Sequence, residues 1–182
     1  MIQTIHVGHL LRETVAAPYR NLVTRPTGAA VRNRIQEALA RSDCLTTLLD
    51  FSGIELLDLS CADEVVAKLL LAAEAAGGRF VVLQGLREDQ REAIEHVLTH
   101  HGLAIAAVAP GDGHAGQRLL GWATPDARAA FACVCARGAV DARELAAALD
   151  WVLARGEAAL EALSLHRLVR ADGDRYHPLP TA

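Results

Sequence analysis

Apolar positions recur along this chain with two alternating periods, and the alternation predicts its elements. Ile2, Ile5, Val7 and Leu10 place a strand within residues 1–11, ended before Pro18. Asn21–Arg25 (NLVTR) is a short strand candidate. Val31, Ile35, Ala38 and Leu39 then repeat at helical spacing, with Thr27 after Pro26 as the expected N-cap. Leu45–Phe51 (LTTLLDF) is a nearly unbroken apolar and β-branched run, the pattern of a strand buried on both faces. Ser52-Gly53 turns the chain, and Ile54–Leu59 leads into a second helix carrying Val65, Val66, Leu69, Leu70 and Ala73. Ser60 and Asp63 stand at capping-box spacing before that apolar stripe, and Gly77-Gly78 is the expected stop.

The rhythm continues through a strand at Arg79–Leu86 and an amphipathic helix from Asp89 to His101 that turns Ile94, Val97, Leu98 and His101 to one face. Gly102 is the expected residue after its end. Leu103–Val108 is a buried strand, 110–116 (PGDGHAG) a flexible loop, and Gln117–Trp122 an edge strand. Strands alternating with helices predict an α/β layer. Near Ala123 the pattern changes. Residues 126–137, 141–150 and 152–165 read as three helices, Asp141 and Glu144 as an N-cap pair, and Asp172-Gly173 as a hairpin turn. Two parts are therefore predicted, 1–123 and 124–182, meeting at about Pro125.

Composition narrows the classes. The chain has 182 residues, 52% hydrophobic and 22% charged, which excludes a disordered polymer. The longest apolar-leaning stretch, Val65–Ala76, is interrupted by Lys68 and Glu74, too short and too charged for a membrane span. The start has no basic region leading into an apolar core, so no secretory signal is expected and the reading is a soluble, cytoplasmic protein. The net charge of −4 gives no electrostatic reason for nucleic acid or an anionic membrane as main partner. Lys68 is the only lysine beside seventeen arginines, a bias that reflects nucleotide composition. Cys44, Cys61, Cys133 and Cys135 lack CxxC spacing and read as buried thiols.

The segment LLDFSGIELLDLSCADEVVAKLLL (48–71) resembles the STAS domain family, the anti-sigma-factor antagonist fold. It is most similar to the STAS-like branch in which a DF-G turn precedes an SxADE helix start. Asp50, Phe51, Gly53, Ser60, Ala62, Asp63 and Glu64 carry the match, and the order of elements extends it over about residues 20–120. The resemblance implies a non-enzymatic regulatory protein of bacterial type that docks a protein partner, such as an ATPase-type kinase or a sigma-regulatory protein, through Asp58, Leu59, Ser60, Cys61, Asp63 and Glu64. In such antagonists an Asp-Ser pair opens the helix and the serine is phosphorylated. Asp58 matches the aspartate, but Leu59 occupies the acceptor position and has no hydroxyl. Ser60, one residue on, is read both as a plain helix cap and as a candidate phosphosite, where a helix N-terminus tolerates a phosphate. Glu64 and Lys68 form an i, i+4 pair, read as a solvated contact.

Residues 137–179 resemble a winged-helix domain: helical GAVDARELAAAL, a third helix with LEAL, and a wing in LVR-x-DGDRYHPL. Such domains bind DNA or serve dimerisation and protein contact. From Thr124 onward seven arginines face eight acids, and the third helix offers Glu157 and Glu161 beside Arg155. That balance disfavours DNA, whose binding needs a basic stripe. Arg155, Arg167, Arg170 and Arg175 remain the candidate phosphate contacts of the alternative, a dimeric transcription regulator with the first part as sensor. Nucleotide or small-ligand sensing is a third class that rests on the family alone.

Other chemistry finds little support. His96 and His100 stand at i, i+4, but the residues between them lack a general-base glutamate. Cys133 and Cys135 would point to different faces of one helix. GDGHAG does not open a helix as a dinucleotide loop would. No enzyme, cofactor or metal is predicted.

Overall fold

The computed structural model describes residues 1–76 and 79–181. The chain runs β1 (Ile2–His6), α1 (Val7–Val15), β2 (Asn21–Leu22), α2 (Arg25–Arg41), β3 (Thr46–Asp50) and β4 (Leu56–Leu57). One long helix follows in three pieces: α3 (Leu59–Ala62), a π-helical stretch (Asp63–Ala67) and α4 (Lys68–Ala76). Then come β5 (Phe80–Gln84), α5 (Glu88–His101), β6 (Ala104–Val108), a 3₁₀ turn (His114–Gly116) and β7 (Arg118–Gly121). The chain ends with α6 (Pro125–Arg137), α7 (Ala142–Leu149), α8 (Leu153–Leu165) and a hairpin of β8 (Val169–Asp172) and β9 (Arg175–Pro178). It is a mixed α/β protein. No helix of the described residues is long and apolar enough to cross a membrane.

The main sheet has the order β1-β3-β5-β6-β7. The first four strands are parallel and β7 closes the edge antiparallel to β6. Strand position rises steadily with sequence, so right-handed crossovers put every connecting helix on one face. The side chains agree. Leu49, Val81, Leu83, Ile105 and Leu120 point into a core with Leu11, Val31, Ile35, Val65, Leu69, Ile94 and Leu98 from those helices. The alternate residues Leu48, Val82, Ala106, Val108 and Leu119 face the other way. A two-sided apolar sheet needs a second cover, and α6, α7, α8 and the hairpin supply it. Phe131, Val134, Leu145, Leu160, Leu163, Val169 and Leu179 complete that second core. The residues after Thr124 therefore share a core with the sheet.

Several expectations are corrected. The first apolar run is a short strand followed at once by helix α1. Leu11 continues inward at helical spacing, and a two-residue period was not present to hold a longer strand. Only Asn21–Leu22 of NLVTR is extended, and α2 begins at Arg25 with Thr24, not Thr27, in the N-cap position. The helix after β4 is capped by Asp58, not Ser60: the Asp58 carboxylate reaches the Cys61 N–H. The 110–116 loop contains a 3₁₀ turn tied down by His114, whose Nδ1 lies 2.9 Å from the Cys135 carbonyl. Gly102 and Gly138 end α5 and α6 in the left-handed conformation, and Asp141 with Glu144 forms the expected capping box on α7. The expected stop at Gly77-Gly78 lies outside the described residues.

Candidate functional site

The site is built where the start of α2 meets the start of the α3–α4 helix. Asp58 leaves β4 in extended conformation, so its side chain can fold back on the helix it opens. Its Oδ1 accepts from Cys61 N at 2.7 Å and from the Ser60 hydroxyl at 3.0 Å. Its Oδ2 accepts from Thr24 N at 3.0 Å, which ties the helix start to the entry of α2. Burial alone would raise the carboxyl pKa, but these donors outweigh it and hold Asp58 below the usual carboxylate range.

Thr24 sits at φ 67° and ψ 134°, a conformation a β-branched residue rarely adopts. Its surroundings hold it there. Besides the bond to Asp58, its carbonyl accepts from Gly28 N at 3.1 Å and from the Cys61 thiol at 3.0 Å. Strain fixed by surrounding contacts is common at functional sites. Burial and the neighbouring Asp58 push the Cys61 thiol up to about 12, so it stays protonated as a donor. Gly28 lets the helices approach: a Cβ there would lie 3.0 Å from Cys61 Sγ and 3.1 Å from Glu64 Cβ.

The next turn carries a charge network. In the π-helical stretch the Lys68 N–H bonds to the Asp63 carbonyl, five residues back. Consecutive Asp63 and Glu64 both reach one guanidinium there. Arg25 Nη1 donates to Asp63 Oδ2 at 2.7 Å and to Glu64 Oε1 at 2.8 Å. Lys68 Nζ donates to Glu64 Oε1 at 2.6 Å, and Arg32 Nη1 donates to Glu64 Oε2. His101 Nε2 lies 2.7 Å from Asp63 Oδ1. An ionised carboxylate only accepts, so this nitrogen carries the proton. Both acids are held below their ordinary pKa. Burial opposes this, but for Asp63 the Arg25 and His101 bonds prevail, and for Glu64 the Lys68 and Arg25 bonds and the Arg32 charge. Glu64 is 2% exposed, so its pair with Lys68 is not the solvated contact its spacing suggested.

The residues expected to dock a partner therefore fall into separate classes. Asp58, Ser60 and Asp63 are partly buried and engaged within the chain, while Cys61 and Glu64 are buried. Leu59 alone is openly exposed, at 51%, and Leu56 three residues earlier is 49% exposed. Pairing of Asn21 with Leu56 brings Tyr19 and Arg20 to the same edge, where Arg20 faces Glu55 at 3.4 Å. A phosphoryl group on Ser60 would remove the proton given to Asp58 and set a dianion beside that carboxylate.

Three of the four candidate DNA contacts face acids of the chain itself. Arg155 grips Asp126 with two bonds of 2.9 and 2.7 Å and lies over the Trp151 ring. Arg175 lies 3.2 Å from Glu144 and also reaches the Ala139 carbonyl. Arg170 lies 3.9 Å from Asp172. Arg167 follows the far end of α8, whose helical rise from Arg155 to Leu165 is about 15 Å. Among the described residues no three of His, Cys, Asp and Glu are placed to share a metal ion.

Sequence reasoning missed Thr24, Arg25, Arg32, His101 and Gln90. Gln90 is fully buried and donates from Nε2 to the Ile54 carbonyl at 2.8 Å, fixing the segment that leads to Leu56. The usable signal was Arg25, Gly28 and Arg32 at i, i+3, i+7, one helix face with a small residue between two cations. No family model, curated protein or solved structure matches the chain.

Proposed function

We propose that this protein is a non-enzymatic regulatory module that acts by docking another protein at the Leu56–Leu59 tip. Its first part is STAS-like, and the three helices and hairpin that follow are winged-helix-like. The observation that carries the reading is Leu59. It is a half-exposed apolar side chain at the position where the family resemblance expects a phosphoacceptor, on a turn whose Asp58 carboxylate is locked by three donors. A side chain pre-positioned by its backbone loses little entropy on binding, which favours an anchor role. The charged residues behind it hold this geometry and do not themselves touch the partner.

Within the same reading, the C-terminal helices serve protein contact or dimerisation, not DNA. What supports this is that Arg155 and Arg175 are already paired with Asp126 and Glu144, leaving a phosphate to compete with fixed carboxylates.

The test is site-specific photo-crosslinking from position 59 in the native host, with a second probe at Leu165, also exposed but at the end of α8. The captured protein is then purified and titrated against the full chain. A partner that crosslinks from 59 and not from 165, and binds in purified form, is the expected result. Equal capture from both positions refutes the assignment.

A further inference from the structure

We propose that the open edge strand β1 pairs with β1 of a second copy of this chain, joining two five-stranded sheets into one continuous sheet across a two-fold axis at Thr4. The contact is independent of the Leu56–Leu59 tip. It places dimerisation on β1 and leaves the C-terminal helices for other protein contact.

The two edges of the main sheet are built differently. On β7 side chains take up the outward backbone. Arg128 donates to the Leu119 and Gly121 carbonyls, Arg118 donates to the Gln117 carbonyl, and the Glu95 carboxylate accepts from Gly121 N at 2.8 Å. Charged side chains on an edge block the addition of another strand. On β1 the outward groups follow from the pairing of β3. Phe51 N donates to the Gln84 carbonyl and Phe80 N to the Leu45 carbonyl, so the odd-numbered residues there turn their backbone to β5. Thr46, Leu48 and Asp50 therefore turn theirs to β1, and Leu48, in register with Thr4, bonds to Gln3 and Ile5. Ile2, Thr4 and His6 are left with N–H and C=O facing away from the sheet. Among the described residues no group outside α1 bonds to this outward backbone, and Thr4 and His6 are exposed.

The free groups fit a second copy of themselves. In an antiparallel pair, alternate residues standing directly opposite exchange both hydrogen bonds. With the axis at Thr4, Thr4 meets Thr4 of the second copy, Ile2 meets its His6, and His6 meets its Ile2. Every outward position is then matched, whereas a register shifted by two residues leaves Ile2 or His6 without a counterpart. His6 is the N-cap of α1, so its carbonyl already accepts a helical bond, but a carbonyl has two lone pairs. Charge permits the contact: residues 1–11 hold no Asp, Glu, Lys or Arg, so no like charges meet across the axis. Directly opposed threonines are a favourable cross-strand pair. An edge with no fixed charge and no proline, and with a self-matching register, suits an isologous two-fold contact. The pairing covers five residues, about 17 Å of strand. That is small beside a standard interface, so the dimer is reversible.

The test is sedimentation equilibrium of the full chain from about 5 to about 200 µM, with Thr4→Lys and Leu165→Asp beside the parent. The parent mass is expected to rise from 19.4 kDa toward twice that value. Thr4→Lys sets two like charges opposite each other and raises the dimer Kd about tenfold or more. Leu165→Asp, at the exposed end of α8, leaves the Kd unchanged. Oxidation reads the register. Opposed Cα atoms in a hydrogen-bonded pair stand about 5.5 Å apart, within disulfide reach. With oxidised glutathione, Thr4→Cys is expected to link two copies through position 4, located by mass spectrometry of the peptides. Gln3→Cys, whose counterpart lies two residues along the other strand, is not. Circular dichroism reports the fold of each variant, and the Thr4→Cys and Gln3→Cys comparison decides if Thr4→Lys does not fold. A parent that stays at 19.4 kDa up to about 200 µM overturns the proposal. So does a dimer lost only in Leu165→Asp, equal association of the parent and Thr4→Lys, or linkage from Gln3→Cys as strong as from Thr4→Cys.

Discussion

Glu64→Gln removes the negative charge at the centre of the network while keeping size and shape. The parent carboxylate is 2% exposed and accepts from Arg25, Arg32 and Lys68. Removing one partner of a buried pair typically costs about 3–5 kcal/mol. Here Lys68 is 42% exposed and Arg32 21%, so both regain some water when the anion is lost. That reduces the expected loss to about 2–4 kcal/mol. In a chain of this size it corresponds to a fall in Tm of about 4–16 °C. Thermal unfolding followed by circular dichroism reads this directly. The pH dependence supplies a sharper check. The folded-state pKa of Glu64 lies below its ordinary value of 4.5, so the unfolded chain takes up the proton first as pH falls. The contribution is complete above about pH 5 and is lost as pH drops through the lower folded value. The gap between parent and variant should therefore narrow below about pH 4. A Tm within about 2 °C of the parent at pH 7, or a gap independent of pH, would refute the reasoning.

Three further outcomes follow from the same contacts. Thr24→Gly should raise stability by about 1 kcal/mol, because relief of strain at positive φ exceeds the entropic cost of glycine; a loss in chemical denaturation contradicts it. Gly28→Ala should cost about 1–3 kcal/mol, since the new methyl meets the Cys61 and Glu64 side chains and α2 must retreat; an unchanged denaturation midpoint contradicts it. Cys61 and Cys135 are buried, with thiols pushed up to about 12, whereas Cys44 and Cys133 are partly exposed. Under native conditions a thiol reagent should modify Cys44 and Cys133 first and the other pair only on unfolding, read by mass spectrometry of the labelled peptides.

The α/β layering was legible because its signals are local. The unbroken run at Leu45–Phe51 and the amphipathic repeat of α5 each encode their own burial. The C-terminal helices and hairpin were legible for the same reason, through Asp141, Glu144 and Gly173. What those helices cover was not: Leu48 and Leu49 are neighbours in sequence, and only the sheet sends one to each core. A turn and helix start were legible at Asp58–Glu64, but the roles of its residues were not. Ser60 fits a capping pattern as well as Asp58 does. The choice is made by Thr24 N, thirty-four residues upstream, which needs an acceptor where Asp58 can reach it. Glu64 reads as a surface residue until Arg25 and Arg32 arrive from another helix. Long-range pairing of this kind leaves only a face-spacing trace in a single sequence.

Leu59 is the proposed anchor, and the charge network behind it the proposed scaffold. The direct measurement is the Kd of the crosslinked and purified partner for the parent, Leu59→Asp and Lys68→Met, by calorimetry at a temperature where all three are folded. Leu59→Asp should weaken binding by about 30-fold or more, the effect of removing a central anchor, while Lys68→Met should leave it within about threefold. Equal affinity for the parent and Leu59→Asp would contradict the account, as would a loss confined to Lys68→Met.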